Sequence, residues 1–122
     1  MDYRYRKGSE KQETGPRQEE AWSLQLRKAK RKALKILERM DRTEAQLREK
    51  LLQAGFSPEL AEGAIAYVKS FGYIDDSRFV RNYIEYRSSQ KSRRQLEQEL
   101  QFRKGVSPEL IQKVYGELEP AD

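Results

Sequence analysis

The sequence predicts an all-α fold: two tandem three-helix repeats forming an elongated helical stack. Three observations carry this. Apolar residues recur at three- and four-residue spacing in six successive stretches, most of them opened by Ser, Thr or Asp and closed near a Gly. The segments "LREKLLQAGFSPEL" and "LEQELQFRKGVSPEL" repeat the same leucines and the same Gly-x-Ser-Pro-Glu-Leu ending, a period of about fifty residues. Finally, 36% of the 122 residues are hydrophobic and 37% are charged, which suits thin helical layers better than a thick core.

The elements follow in order. Residues 1–23 read as a flexible N-terminal tail, with no apolar periodicity through "MDYRYRKGSEKQETGPRQEE" and with Gly8, Gly15 and Pro16 interrupting it. Tyr3 and Tyr5 sit there among Arg4, Arg6 and Lys7, a pattern able to stack on bases. The first repeat is expected over 24–72. Its first helix carries Leu26, Ala29, Ala33, Leu34, Leu37 and Met40 as one stripe, with Arg27, Lys28, Lys30, Arg31, Lys32 and Lys35 on the other face. Thr43 opens the second helix, and Gln46 completes a capping box. Leu47 and Leu51 lie one turn apart on its buried side, and Gly55 stops it. Ser57-Pro58 starts the third helix, with Leu60, Ala64, Ile65, Val68 and Phe71 as its stripe and Gly72 at its end.

The second repeat is expected over 73–122. It opens on "SFGYIDDSRFVRNY", where Asp75 and Asp76 stand side by side. Two adjacent carboxylates could be an acid–base pair, half a metal site or the start of a helix. No third ligand or base accompanies them at a specific spacing, so they read as helix-starting residues that accept from free N–H groups. Phe79, Val80, Tyr83 and Tyr86 form the apolar side of that fourth helix. Ser92 and Gln95 cap the fifth helix, whose core pair is Leu96 and Leu100; Gly105 ends it, and Ser107-Pro108 starts the sixth with Leu110, Ile111, Val114, Tyr115 and Leu118. Repeats of this size are expected to bury their apolar faces by stacking on a neighbour. The second copy takes five steps from Leu100 to Gly105 where the first takes four from Leu51 to Gly55. The expectation is that the local widening swings Phe102 into the core.

Composition narrows the chemistry. There are no cysteines, hence no disulfide framework or thiolate site, and a reducing cytoplasm is the expected compartment. Histidine, the commonest metal ligand and near-neutral general base, is absent too. No Gly-rich phosphate loop is present, and no apolar run is long enough to span a bilayer. A non-enzymatic protein without metal or cofactor is expected, binding no membrane. A net charge of +5 points to nucleic acid or an acidic protein surface. Two basic patches are the candidate contacts: Lys28, Arg31, Lys32 and Lys35 on the first helix, and Arg78, Arg81, Arg87, Lys91, Arg93 and Arg94 around the fourth-to-fifth helix junction. Taken singly these residues could merely solvate their helices, and Arg81 could pair with Glu85 one turn on. As a patch the junction reads as a contact surface.

The run from Ala33 to Arg87 resembles the first repeat and following helix of the RecX family of regulatory proteins. The matching positions are Ala33, Leu37, Arg39, Thr43, Leu47, Lys50, Leu51, Gly55, Phe56, Gly72, Tyr73, Asp75, Asp76, Arg78, Phe79, Tyr83 and Arg87, and the second repeat matches through Arg94, Leu96, Glu99, Leu100, Lys104 and Gly105. The resemblance implies tandem three-helix repeats that bind the recombinase RecA, chiefly its filament on single-stranded DNA. It implies inhibition of strand exchange, ATP hydrolysis and the co-protease activity of the SOS response by a monomer lying in the filament groove. The alternative is an independent helical module that binds DNA weakly through phosphate contacts. Three features depart from the family: the third repeat is absent, Ser92-Arg93 precedes the fifth helix in place of Gly-Pro, and Ala45-Gln46 stands where a carboxylate is common.

Overall fold

Local sequence decides where each helix begins and ends. The computed structural model describes residues 16–119, and its regular structure there is entirely helical: α1 (Pro16–Arg39), α2 (Glu44–Gln53), α3 (Pro58–Ser70), α4 (Asp76–Arg87), α5 (Arg93–Phe102) and α6 (Pro108–Leu118). Thr43 and Ser92 head reciprocal capping boxes with Gln46 and Gln95. Ser57 and Ser107 accept from Leu60 N and Leu110 N at 3.2 Å, each with a proline in the first turn. At the end of α2, Gly55 adopts φ 100°, a left-handed conformation that a Cβ would oppose. Phe56 N donates to Leu51 O and Gly55 N to Leu52 O, which satisfies two otherwise free carbonyls. Gly72 closes α3 with the same pair of bonds.

The extra residue of the second copy is absorbed at the same place. Lys104 N reaches back five residues to Glu99 O, and Val106 N reaches six to Leu100 O, against five for Phe56 N to Leu51 O. The turn is wider by one residue, yet Leu100 and Val106 are both buried. Phe102 is 75% exposed, so the expectation that it enters the core is overturned. Widening occurs beyond the last helical turn, so it leaves Phe102 on the outer side of α5 that its distance from Leu96 and Leu100 dictates.

Within each repeat the three helices pack on one another, α1 most extensively along α3, and α4 along α6. The buried side chains fall into two clusters. One holds Ala29, Ala33, Ile36, Leu47, Leu51, Leu60, Ala61, Ala64, Ile65, Val68 and Ile74. The other holds Val80, Tyr83, Ile84, Leu96, Leu100, Val106, Ile111, Val114 and Tyr115. Each unit thus closes its own core, contrary to the expectation that stacking between neighbours supplies it. Three helices already surround each leucine pair, and what remains between the repeats is a mixed polar and apolar surface.

Other boundaries differ in detail. The first helix begins at Pro16, so residues 16–23 are helical where a tail was expected; residues 17–25 are exposed. Ile74 packs with the first core although it follows Gly72. Met40, expected on the buried stripe of α1, is 56% exposed, and Ile36 takes that role. Tyr86, expected on the apolar side of α4, is 76% exposed, and Ile84 is buried instead. Phe71 is also exposed, stacking on Tyr73 at 5.6 Å. The tyrosine–arginine run at Tyr3 and Tyr5 lies outside the described residues. No helix among the described residues is long and apolar enough to cross a membrane.

Candidate functional site

The two aspartates have separate duties. Asp75 is the N-cap of α4, accepting from Arg78 N at 3.1 Å. Asp76 reaches across to the other repeat and accepts from Glu44 N at 2.8 Å, the first residue of α2. Burial pushes the Asp76 carboxyl above the usual carboxylate range, more than the bond from Glu44 lowers it. Close by, Thr43 Oγ1 donates to Lys104 O at 2.5 Å, and Lys69 pairs with Glu44 at 3.2 Å. Ala45 and Gly105 complete this seam: a Cβ on Gly105 would lie 2.6 Å from Ala45 Cβ. The aspartates are therefore architecture, and Ala45 is small where the repeats touch.

The junction patch is largely occupied from within. Arg81 pairs with Glu117 at 2.7 Å, a partner on α6 and not the expected Glu85. Lys91 pairs with Glu99 at 2.5 Å, and Glu99 also accepts from Tyr83 Oη at 2.5 Å. Those two donors hold the Glu99 carboxyl below its ordinary range. Arg93 pairs with Glu97 at 2.9 Å, donates to Gln112 at 2.9 Å and lies 4.1 Å over the Tyr115 ring. Arg78 donates to Gly72 O at 3.2 Å. Among the described residues, Arg94 is exposed and without an ion pair, and Arg87 lies 4.0 Å over the Tyr83 ring with no carboxylate partner. Of the six junction residues, Arg78, Arg87 and Arg94 have no carboxylate partner among the described residues, and Arg78 is tied to a backbone carbonyl.

The first-helix patch is different. Lys28, Arg31, Lys32 and Lys35 are all exposed, and none makes an ion pair or hydrogen bond with another described residue. Lys32 and Lys35 continue into a groove of about 730 Å³ shared by the C-terminal half of α1 and by α2. Arg39, Arg42 and Lys50 also line it, so five cations face one carboxylate, Glu38. Arg39 extends the Lys32–Lys35 face of α1 by one turn, a spacing present in the sequence and missed there. Arg42, in the connection, and Lys50, on α2, join them only through the crossing of α1 and α2.

A second concavity, about 240 Å³, opens between the repeats. Met40, Asp41, Arg42 and Gln46 form one wall; Phe79, Asn82, Tyr83, Tyr86, Arg87 and Lys104 form the other. Arg42 borders both this cleft and the basic groove, and its Nε is buried without a hydrogen-bond partner. No group of three or more acidic residues among the described residues is arranged to hold a metal ion. The surface is equipped to hold anions.

Comparison with known proteins bears on the same two units. The family model for RecX, first three-helix domain, matches residues 29–67, and that for RecX, second three-helix domain, matches residues 75–114. Among curated relatives, the chain is 34% identical over 98 residues to regulatory protein RecX of Caldanaerobacter subterraneus subsp. tengcongensis, covering 80% of this chain and 49% of that protein. It is 36% identical over 84 residues to regulatory protein RecX of Clostridium tetani, covering 69% and 38%. With that of Legionella pneumophila it shares 39% over 90 residues, covering 73% and 59%. The chain spans about half the length of the curated relatives it matches, from 38% to 59% in these three.

Proposed function

The chain belongs to the RecX family of regulatory proteins, and from that premise we propose that it binds the recombinase RecA and its filament on single-stranded DNA. Bound there, it lowers recombinase, ATPase and SOS co-protease activity. It acts as a cytoplasmic monomer and breaks no bonds itself. The observation that carries this reading is the joint presence of two matched repeats and a continuous run of uncompensated cations on the first. A nucleoprotein filament offers acidic protein surface and phosphates side by side. Lys and Arg engage both, and the planar fork of Arg pairs bidentately with carboxylate or phosphate. Two rigid units touching successive protomers make each further contact intramolecular, so modest contacts multiply.

The test is a titration of this protein into RecA hydrolysing ATP on single-stranded DNA, with filament binding measured in the same buffer. Inhibition that rises with occupancy is expected; filament binding without any fall in turnover, or no binding at equimolar ratio, would refute the reading. The basic groove favours a second reading, an independent module that holds DNA through phosphates. It predicts RecA-free binding whose affinity falls steeply with salt, about 0.7 log units per log unit of salt for each single-strand phosphate neutralised. Affinity that appears only with the filament would exclude it.

A further inference from the structure

The cleft between the repeats combines features that solvation of a helix does not require. Two of its apolar side chains, Met40 and Tyr86, are 56% and 76% exposed, one from each repeat. Its charge is one-sided: Arg42, Arg87 and Lys104 against the single carboxylate of Asp41. None of those three cations has an ion-pair partner among the described residues, and Arg42 Nε is a buried donor with nothing to donate to. Asp76, Thr43 and Gly105 fix the seam beneath the cleft, so the two walls are held at a set distance.

The geometry also selects the occupant. At about 240 Å³ the space lies below the range of roughly 300–1,000 Å³ typical of small-molecule and cofactor sites. It accommodates one bulky side chain more readily than a nucleotide. Tyr83 offers no face for a base to stack on, because Arg87 lies 4.0 Å over its ring, Phe79 stacks on it at 5.9 Å, and its hydroxyl donates to Glu99. Tyr86 and the deformable thioether of Met40 remain as apolar contacts. A chain that supplies one apolar side chain and flanking carboxylates meets every unmatched group in the cleft.

We propose that the inter-repeat cleft docks a short acidic segment of a protein partner, which seats one aromatic or large apolar side chain against Tyr86 and Met40 while its carboxylates engage Arg87, Arg42 and Lys104. This deepens the reading above by naming the contact chemistry, and it relies on that reading only for who the partner is. Because the occupant touches both repeats, docking ties them together. Lys32, Lys35, Arg39 and Lys50 of the basic groove on the first repeat remain free for phosphates.

The test uses the full chain and a fluorescein-labelled acidic peptide with one central phenylalanine, followed by anisotropy. Saturable binding is expected. It should weaken about tenfold or more in Tyr86→Ala and in Arg87→Glu, as for an anchor and its charge partner, and also when alanine replaces the phenylalanine. Circular dichroism checks that the variants fold; the exposed Tyr86 makes that variant the safer one. Lys32→Glu with Lys35→Glu should weaken peptide binding far less than Arg87→Glu does, since neither residue lines the cleft. Absence of saturable binding, equal affinity of the Tyr86→Ala chain, or displacement of the peptide by a short oligodeoxythymidine from the wild type but not from the Lys32→Glu, Lys35→Glu chain would each overturn the proposal. A parallel filament-binding measurement separates the two readings. If the wild type binds peptide but not filament, the cleft stands and RecA is the wrong partner. If it binds filament and the Tyr86→Ala, Arg87→Glu chain binds equally well, the cleft is not the docking site.

Discussion

Asp75 and Asp76 differ by one position and by everything that matters to their chemistry. Asp75 caps its own helix in water, whereas Asp76 is half-buried and caps a helix in the other repeat. Asp76→Ala leaves Glu44 N–H without that acceptor and should destabilise by about 1 kcal/mol, the usual net value of such a bond. Asp76→Asn keeps an acceptor oxygen and removes the cost of burying charge. Since the folded-state carboxyl lies above its unfolded value, the native state binds more protons than the unfolded chain between those two values. Its contribution is fully present below the ordinary carboxylate range and is lost as pH rises through the raised value. Urea unfolding should therefore find Asp76→Asn at least as stable as wild type at pH 7, with that advantage shrinking towards pH 3. Gly105 supplies a second residue-level test. It combines φ 74° with a 2.6 Å approach to Ala45 Cβ, so Gly105→Ala should cost more than the roughly 1 kcal/mol of backbone strain alone. Adding Ala45→Gly should recover the steric part in a double-mutant cycle and leave the backbone part.

At the scale of the helix, caps were readable because a cap is a local transaction: Thr43 with Gln46, Ser92 with Gln95, and each Ser-Pro pair lie within one turn. The leucine pairs were readable for the same reason, being set by helical spacing. Phe102 was misplaced because its environment depends on where an inserted residue is absorbed. That is a choice between the last turn of α5 and the loop, and the local pattern allows both. Thermal or urea unfolding distinguishes the two kinds of site. Leu100→Ala should cost about 2–5 kcal/mol, as for a fully buried leucine. Phe102→Ala should stay within about 0.5 kcal/mol, as at an exposed surface position. Met40 and Tyr86 escaped in the same way: each follows its helix's apolar spacing, yet each lies beside the gap between the repeats, where no helix covers it.

For the molecule as a whole, the distribution of cations matters more than their number. Among the described residues, Arg81, Lys91 and Arg93 at the junction are matched by carboxylates on α5, on α6 or just after it, while Lys32, Lys35, Arg39, Arg42 and Lys50 of the groove have no ion pair. Reversing Lys32, Lys35 and Arg39 to Glu should abolish most filament or DNA affinity and flatten its salt dependence, since each lost phosphate contact removes about 0.7 from the slope on single strands. Reversing Arg81 and Arg93 should change affinity little and instead lower stability modestly, by about 1 kcal/mol or less for each exposed pair. If the second pair of changes were the damaging one in a filament-binding assay, the junction and not the groove would be the contact surface. Charge pattern alone could not separate the patches, because both read as basic runs; two of the carboxylates that neutralise one of them are distant in sequence, Glu117 on Arg81 and Glu119 on Arg93.

Residue order by itself determined the helical class, the duplication, the helix ends and the leucine pairs, all of which are fixed by interactions within a turn or by repetition. Tertiary structure decided that each repeat closes its own core, that Asp76 serves the neighbouring repeat, and that Arg42 and Lys50 join the first-helix cations in one groove. Those outcomes depend on how helices cross, and crossing is set by the summed packing of distant side chains, which no local spacing encodes.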